Sequence, residues 1–219
     1  PISRDAPTYR IYVIPEETDD LDYVIKTAAA DLGLNKKRTD RIYARIKKQR
    51  AFQPVLISEN SNWSQLAKLQ ARNIPGLHVR SGFRRVYEMG PAGAQIFGYV
   101  GAPDNPVENA PFFTTGITGL EKRYDDLLAG TPGQTVMITN AVGRVTGEDK
   151  SQFIPAITGK NLRTTIDEQA QRTLYDSLML HRAGCGVALD IDTGDILAMV
   201  SAPSFDPNMF DSDDADEYM

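Results

Sequence analysis

The sequence contains one cysteine, Cys185, and a single cysteine excludes a disulfide bond within the chain. It also contains no apolar run near the roughly 18 residues that a membrane-spanning helix needs. No signal peptide and no initiator methionine open the chain, which begins at Pro1, so we expect an excised part of a longer protein. The formal net charge of −5 argues against a nucleic-acid-binding protein.

What is present is the composition of an ordinary globular protein. Of the 219 residues, 41% are hydrophobic and 24% are charged. Helical and strand patterns follow one another without the regular strand–helix–strand alternation that builds a parallel sheet. The sequence therefore predicts an α+β fold.

The opening stretch predicts a strand followed by an amphipathic helix. In the strand, Tyr9, Ile11 and Val13 alternate with polar or larger neighbours. Asp19 or Asp20 is expected to cap the helix, and Gly33 suits its end. The apolar stripe of this helix consists of Leu21, Val24, Ile25, Ala28, Ala29 and Leu32.

A second helix is predicted from about Asp40 to Arg50, with Ile42 and Ile46 on its inner face. It overlaps a dense basic segment that contains Lys36, Lys37, Arg38, Arg41, Arg45, Lys47, Lys48 and Arg50. This segment is either a surface for anions, such as nucleic acid or lipid headgroups, or a solvated helix face. Tyr43 is the only aromatic residue in it, so no stacking platform supports nucleic-acid binding.

Strands flank a third predicted helix. Residues 54–59 predict a short buried strand, and residues 77–89 predict a strand pair or one long bent strand. Asn62 and Gln65 are spaced as a capping box at the start of a helix over Trp63–Ala71.

The stretch Gly116–Gly133, which we call the elbow, predicts a glycine-punctuated loop, a short helix and a turn. Gly116 and Gly119 permit positive φ or close backbone approach, and Gly130 and Gly133 favour a helix end and a turn. Glu121 lies in the first helical turn, where the helix dipole favours a carboxylate. The apolar positions at helical spacing are Leu120, Tyr124, Leu127 and Leu128.

The remaining residues predict a hairpin, a helix and a second hairpin. Residues 134–146 alternate around Asn140 and Gly143, and 155–160 predict a linker. From Leu162 we expect a strand-to-helix unit capped by Thr165 or Asp167, with helix positions Ala170, Leu174, Leu178 and His181. Two strands, 186–192 and 195–201, are joined at Thr193-Gly194, and the second of them should expose an unpaired apolar edge.

Four motifs give the sequence a family resemblance. The elbow fits GxxGLExxYDDxLxGxxG, and it follows GYVG at 98–101. LRTTIDEQAQ at 162–171 and LDIDTGDILAMVSAPSFDPN at 189–208 come after it. In this order the motifs resemble the class B penicillin-binding proteins of the elongation type.

The resemblance implies a domain organisation. A non-catalytic pedestal domain of the dimerisation type would span 1–160, with a helical head insert at about 19–101 and the elbow at 116–133. Residues 161–219 would be the opening helix and hairpin of a transpeptidase domain. Gln95 and Thr164 depart from the residues that relatives usually carry, which are His and Leu.

The resemblance also implies an activity that this chain lacks. The family transfers acyl groups with a serine activated by a lysine three residues later. No serine here has lysine at that spacing, and Ser58-Glu59-Asn60 matches the supporting S-x-N pattern in a region expected to be a loop. We therefore assign no catalytic residue and expect neither a cofactor nor a metal.

By the same resemblance, the fragment positions the catalytic domain and binds the scaffold protein MreC and the glycosyltransferase RodA. The parent would be anchored in the bacterial inner membrane by a missing N-terminal helix and face the periplasm. Peptidoglycan precursor would bind only the missing catalytic domain. The residues expected to bind partners are Tyr43, Lys47, Lys48, Arg50 and Trp63.

Other interpretations stay open. The basic helix could make the chain a stand-alone binding module for an anionic polymer. Glu121 with Asp125 or Asp126 could form the carboxylate pair of a hydrolase, although carboxylates on a short exposed helix usually serve solubility.

Cys185 and His181 could form a nucleophile pair. The alternative is that Cys185 is a small buried thiol without a chemical role. The carboxylates of the acidic end could hold a divalent cation. The alternative is that this end is a solvated terminus. Its carboxylates are Asp206, Asp211, Asp213, Asp214, Asp216 and Glu217.

Overall fold

The computed structural model describes residues 2–101, 114–141 and 145–210. The strands are β1 (Ser3–Val13), β2 (Val55–Ser61), β3 (Leu77–Tyr87), β4 (Val100–Gly101), β5 (Thr115–Gly116), β6 (Gln134–Thr139), β7 (Val145–Ile154), β8 (Gly184–Leu189) and β9 (Ile196–Ala202). The α-helices are α1 (Leu21–Leu32), α2 (Lys36–Lys48), α3 (Trp63–Ala71), α4 (Ala94–Phe97), α5 (Gly119–Arg123), α6 (Asp125–Leu128) and α7 (Glu168–Leu178). The predicted α+β class is confirmed.

The chain forms two compact units. Unit 1 contains residues 1–4, 85–137 and 148–219, and unit 2 contains residues 5–84 and 138–147. The predicted domain boundary at residue 160 lies within unit 1 and stays a prediction.

The core of unit 2 is built on a three-stranded sheet in the order β2-β1-β3. β1 and β2 are antiparallel, and Val13 pairs with Val55. Ile11 and Val13 are fully buried, which confirms the strand predicted there. Tyr12 is buried as well, so both sides of this central strand are covered.

The first helix of unit 2 forms as its sequence predicts. The Asp20 carboxylate caps α1 by accepting a hydrogen bond from the Tyr23 amide, and Gly33 ends the helix with φ 71°. The predicted stripe is buried at Val24, Ile25, Ala28, Ala29 and Leu32.

The second helix starts earlier than predicted. The Asn35 side chain caps α2 by accepting a hydrogen bond from the Arg38 amide, so the helix begins at Lys36, four residues before Asp40. Ile42 is buried and Ile46 packs against the same core, as predicted.

The third helix and its neighbouring strands also form. Asn62 and Gln65 make both hydrogen bonds of the predicted capping box at the start of α3. β2 extends the predicted buried strand to Ser61, and residues 77–87 form one long strand, β3.

The core of unit 1 is smaller. Its buried residues are Tyr87, Met89, Ile96 and Phe97, and Ile2, Tyr99, Leu120 and Ile166 pack against them. The segment between Gly90 and Phe97 forms a 3₁₀ turn, Gly90–Ala92, followed by the four-residue α4. Gly90 has φ 50°, which is incompatible with a continuous helix from Met89 onward.

The elbow contains two short helices where one was predicted. The helix breaks at Tyr124, which has φ −118° and ψ 23°, between α5 and α6. The break places the Asp125 carboxylate against β5, where it accepts hydrogen bonds from the Gly116 amide and the Thr115 hydroxyl. This contact to an earlier strand overrides the helical periodicity.

The predicted hairpin near residue 140 is present as the paired strands β6 and β7. β7 continues to Ile154, beyond the predicted end at Thr146. Gly143, at the predicted turn, lies outside the described residues. In the linker after β7, Ile157 and Thr131 exchange backbone hydrogen bonds.

The last described elements are a capped helix and a hairpin. Asp167 caps α7, as predicted. Residues 162–167 do not form the predicted strand. They contact β9 through separate hydrogen bonds, which the Thr165 hydroxyl and the Asp167 amide donate. β8 and β9 pair antiparallel from Gly184↔Ala202 to Leu189↔Ile196, with Gly194 at φ 78° in the turn, as predicted.

The prediction that β9 exposes an unpaired edge is wrong along its centre. The Asp167 amide donates to the Leu197 carbonyl oxygen, and the Gln171 side chain bonds both main-chain groups of Met199. In the described residues, β8 pairs only with β9, and its Val187 and Leu189 side chains are more than half exposed.

Candidate functional site

Gly119 is a point of close backbone contact in the elbow that sequence analysis singled out. Its φ is 64°, in the left-handed region. A β-carbon at this position would lie 2.6 Å from the Gly98 nitrogen and 2.6 Å from the Ile96 carbonyl oxygen. The GYVG motif and the elbow therefore meet backbone to backbone, and only glycine fits.

Glu121 forms a buried ion pair that the sequence alone did not predict. The Arg85 Nε donates to Glu121 Oε1 at 2.7 Å, with side-chain exposures of 19% and 6%. Arg85 also donates from Nη2 to the Ser3 hydroxyl at 2.9 Å. The expectation of a solvated carboxylate on an exposed helix is wrong for Glu121, because Arg85 compensates its burial.

The other elbow residues fall into two groups. Gly116, Gly130 and Gly133 each approach another main-chain segment so closely that a β-carbon would collide with it. Leu120 packs against the unit 1 core, whereas Tyr124 is 38% exposed beneath the Arg123 guanidinium. The glycines and Leu120 therefore hold the elbow together, and Tyr124 lies at its surface.

Side chains after residue 160 bond the main chain before residue 101, and we call this set of contacts the junction. Asn208 accepts from the Tyr87 amide at 2.9 Å and donates to the Tyr87 carbonyl oxygen at 3.0 Å. The Ser204 hydroxyl donates to the Pro91 carbonyl oxygen at 2.6 Å. The SAPSFDPN motif thus binds beside the Gly90–Ala92 turn.

Gln171 is the most deeply buried member of the junction, with no exposed surface. Its Nε2 donates to the carbonyl oxygens of Ala92 and Met199 at 2.6 Å and 2.7 Å. Its Oε1 accepts from the Met199 amide at 2.7 Å. One side chain therefore joins α7, β9 and the Gly90–Ala92 turn.

Aromatic rings complete the junction. Tyr99 of GYVG stacks on Phe210 with ring centroids 4.0 Å apart, and Phe205 meets both rings edge to face. The Tyr87 hydroxyl accepts a hydrogen bond from the Val100 amide at 3.0 Å. Such ring contacts add to the apolar burial of both segments.

The predicted partner-binding residues lie in unit 2 and differ in exposure. Lys47, Lys48 and Arg50, at the end of α2, are exposed. Trp63 opens α3 and is 65% exposed, with its ring centroid 5.9 Å from that of Tyr9.

Tyr43 is less accessible than the other four. It packs against the unit 2 core, and burial raises the pKa of its hydroxyl. Its ring packs α2, the helix that also carries Lys47 and Lys48, against this core.

The alternative chemistries find little support in the described residues. Cys185 is exposed, so the expectation of a buried thiol is wrong. It lies on β8, whereas His181 follows the end of α7, so the two do not share a helix face. Ser58 is buried within β2 and accepts a hydrogen bond from the Ser61 hydroxyl, which corrects the expected loop.

Neither a metal site nor a membrane span lies within residues 2–101, 114–141 and 145–210. That part of the chain holds no group of three or more His, Cys, Asp or Glu side chains arranged for a metal ion. Asp206 instead accepts from the Asn208 amide, and the acidic residues from Asp211 onward lie outside the described residues. None of the described helices is both long and apolar enough to span a bilayer.

The sequence motifs contain the junction residues, but their local pattern indicates no role for them. Asp125, Gln171 and Asn208 stand in YDD, DEQAQ and FDPN, and each bonds main chain elsewhere in unit 1. Arg85 lies in the strand predicted over residues 77–89, whose pattern indicates no ion pair. The available signal was a polar residue at an otherwise apolar position, which at Gln171 marks a satisfied buried amide.

Comparisons with known proteins identify relatives over nearly the whole chain. Residues 1–164 match the family model described as the penicillin-binding protein dimerisation domain. Peptidoglycan D,D-transpeptidase MrdA of Haemophilus influenzae is 33% identical over 226 residues, which cover 95% of this chain and 34% of that protein. MrdA of Escherichia coli K12 is 30% identical over 227 residues, covering 96% of this chain and 35% of that protein.

Peptidoglycan D,D-transpeptidase FtsI of Escherichia coli K12 is also similar, at 27% identity over 219 residues, covering 95% of this chain and 35% of that protein. The chain thus spans about a third of the length of the curated relatives it matches.

A solved structure shares the fold. It is a complex between the penicillin-binding protein PBP2 and MreC from Helicobacter pylori, matched with a TM-score of 0.68 at 16% identity. The match covers 95% of this chain and 41% of the other.

Proposed function

Since the chain belongs to the penicillin-binding protein dimerisation domain family, we propose that it is the non-catalytic part of a peptidoglycan D,D-transpeptidase of cell-wall elongation. Its relatives MrdA and FtsI carry that enzymatic name, and the chain spans about a third of their length. The printed sequence contains no serine with lysine three residues later, so the acyl transfer would take place outside it.

The observation that carries this proposal is the junction. Asn208 bonds both main-chain groups of Tyr87, and Gln171 bonds Ala92 while it holds Met199. These bonds fix the orientation of the β8–β9 hairpin on the segment that leads into the elbow. A segment held in this way can fix the orientation of a catalytic domain that continues from it.

We further propose that unit 2 binds the elongation protein MreC. The support is the shared fold with a PBP2 solved in complex with MreC. Trp63 offers a large, mostly exposed aromatic surface, and such residues dominate interface energies. Lys47, Lys48 and Arg50 would mainly raise the association rate with an acidic face of the partner. RodA is proposed as a second partner from the family resemblance alone.

Binding of MreC from the same genome tests this assignment. Trp63→Ala should raise the dissociation constant roughly 30-fold, which corresponds to a loss of about 2 kcal/mol for one hot-spot residue. The triple reversal Lys47→Glu, Lys48→Glu, Arg50→Glu should slow association roughly tenfold at low salt, with a smaller effect at high salt. Both variants should unfold at nearly the wild-type temperature, because the side chains are exposed.

The matched control reverses three exposed charges of unit 1, Lys150, Lys160 and Arg163, to glutamate. It makes the same change in net charge and should leave the association rate within about twofold of wild type, because none of these three residues belongs to the proposed surface. Equal loss of binding in both triple variants would contradict the assignment to unit 2, and so would unchanged binding in Trp63→Ala.

A stand-alone module that binds an anionic polymer is a second candidate. It is favoured by the exposed basic side chains of the α2 region, which are Lys36, Lys37, Arg45, Lys47, Lys48 and Arg50. Binding to an anionic polysaccharide in the absence of any protein partner, with a steep decrease as salt rises, would support this function.

A further inference from the structure

We propose that Gln171 is a positioning residue that couples the Gly90–Ala92 turn to strand β9. The inference rests on the proposed function, since it names the contact through which the non-catalytic part would fix the first sheet strands of a transpeptidase domain. Gln171 lies 79 residues from Ala92 and 28 residues from Met199 in sequence, and its side chain bonds both.

The side chain takes the place of a neighbouring strand on β9. Its carboxamide accepts from the Met199 amide and donates to the Met199 carbonyl oxygen, as the carbonyl oxygen and amide of a paired residue do in an antiparallel sheet. Two residues earlier, the Leu197 carbonyl oxygen accepts from the Asp167 amide. Residues 167–171 therefore cover the edge of β9 that faces away from β8.

The carboxamide uses both of its N–H donors and one acceptor site of its oxygen. Nε2 carries two hydrogens, one for Ala92 and one for Met199, and Oε1 takes the Met199 amide. The side chain is completely buried, so water cannot replace a lost partner. All three bonds go to main chain, so the contact does not depend on the identity of the side chains at positions 92 and 199.

Hydrogen exchange of the printed chain tests the coupling. Gln171→Met keeps the side-chain length and removes the three bonds, so the Met199 amide should exchange at least tenfold faster than in wild type. Gln169→Met is the matched control, because Gln169 is exposed on the same helix, and it should leave Met199 exchange unchanged. Wild-type exchange at Met199 in a folded Gln171→Met variant would overturn the proposal.

A second variant keeps the test decisive if Gln171→Met does not fold. Gln171→Glu retains an acceptor for the Met199 amide but places a carboxylate against two carbonyl oxygens. Burial and these oxygens favour the protonated form in the folded state, and the folded state then binds a proton that the unfolded chain releases near pH 4.3.

The melting temperature of Gln171→Glu should consequently approach that of wild type as pH falls from 8 to 5, because stability falls with rising pH when the folded state binds more protons. Gln171→Met should show no such recovery. A constant difference between Gln171→Glu and wild type across this range would overturn the proposal.

The effect on function is measured in the full-length protein. Acylation by a fluorescent penicillin should be slowed at least fivefold at pH 7.5 by Gln171→Glu, with recovery toward the wild-type rate as pH falls. A pH-independent ratio of the two rates in folded protein would overturn the positioning role. If wild-type protein is not acylated at all, the proposed function fails instead, while the exchange result still decides the coupling.

Discussion

Gly119 and Glu121 show how the contacts of individual residues determine the conformation of the elbow. Gly119 lies where two main-chain segments touch, and Glu121 carries a buried charge that Arg85 compensates. Neither property follows from helix periodicity, because each depends on a segment at least 20 residues away in sequence.

We predict that Gly119→Ala lowers the free energy of unfolding by about 2 to 5 kcal/mol. About 1 to 2 kcal/mol comes from placing an L-residue at positive φ. A further 1 to 3 kcal/mol comes from overpacking against the backbone of residues 96–98. Chemical denaturation followed by circular dichroism measures the loss.

Gly194→Ala is the matched control for that experiment. Gly194 has φ 78° but open space around the position of a β-carbon, so the change should cost only the conformational part, about 1 kcal/mol. Equal destabilisation by both substitutions would show that close approach at Gly119 has no energetic weight.

We also predict that Glu121→Gln destabilises the protein by roughly 3 kcal/mol, because it leaves the Arg85 guanidinium without its charge partner in a mostly buried site. Asp22→Asn serves as the control, since its pair with Lys26 is exposed and should contribute far less to stability. Denaturation midpoints of the two variants measure the difference. Similar midpoints would mean that the Arg85–Glu121 pair behaves as a surface pair.

For single residues, helix caps were predictable from sequence, whereas the distant hydrogen-bond partners of the junction side chains were not. Asp20, Asn62 and Gln65 bond amides within three residues, so their roles follow from local spacing. Gln171 and Asn208 bond residues 79 and 121 positions away, and no local pattern specifies such a pairing.

Among the elements, the turn between β8 and β9 gives a pH-dependent prediction. The amides of Thr193 and Asp192 donate to the Asp190 carboxylate, and these bonds hold its pKa below the ordinary range. The contribution of this carboxylate to turn stability is therefore complete above the unfolded pKa of about 3.9 and is lost as pH falls through the lower folded value.

A carbon-13 titration of the Asp190 carboxyl should give a midpoint below 3.9. The amide shifts of Asp192 and Thr193 should follow the same midpoint, and Asp190→Asn should abolish that titration. A midpoint at or above the ordinary aspartate value would contradict the assignment of these hydrogen bonds.

Element boundaries were predictable where caps and apolar stripes agree, as in α1 and α3. They were missed where a tertiary contact competes with periodicity. The elbow helix breaks at Tyr124 because the Asp125 carboxylate bonds β5, and the edge of β9 is covered by residues 167–171. Both outcomes depend on segments that are distant in sequence.

For the whole molecule, the sequence predicted the α+β class and the family from four ordered motifs. It did not predict two compact units that each draw on separate stretches of chain. Unit 1 contains residues on both sides of position 160, because the junction residues bond across it. The proposed function depends on this arrangement, in which a non-catalytic part holds the first strands of a catalytic domain.

The most direct test of that claim is intact-mass analysis after incubation with a fluorescent penicillin, applied in parallel to the printed chain and to the full-length protein. The account predicts one covalent adduct per molecule of full-length protein and none on the printed chain, which lacks a serine with lysine three residues later. A stoichiometric adduct on the printed chain, or none on correctly folded full-length protein, would contradict it.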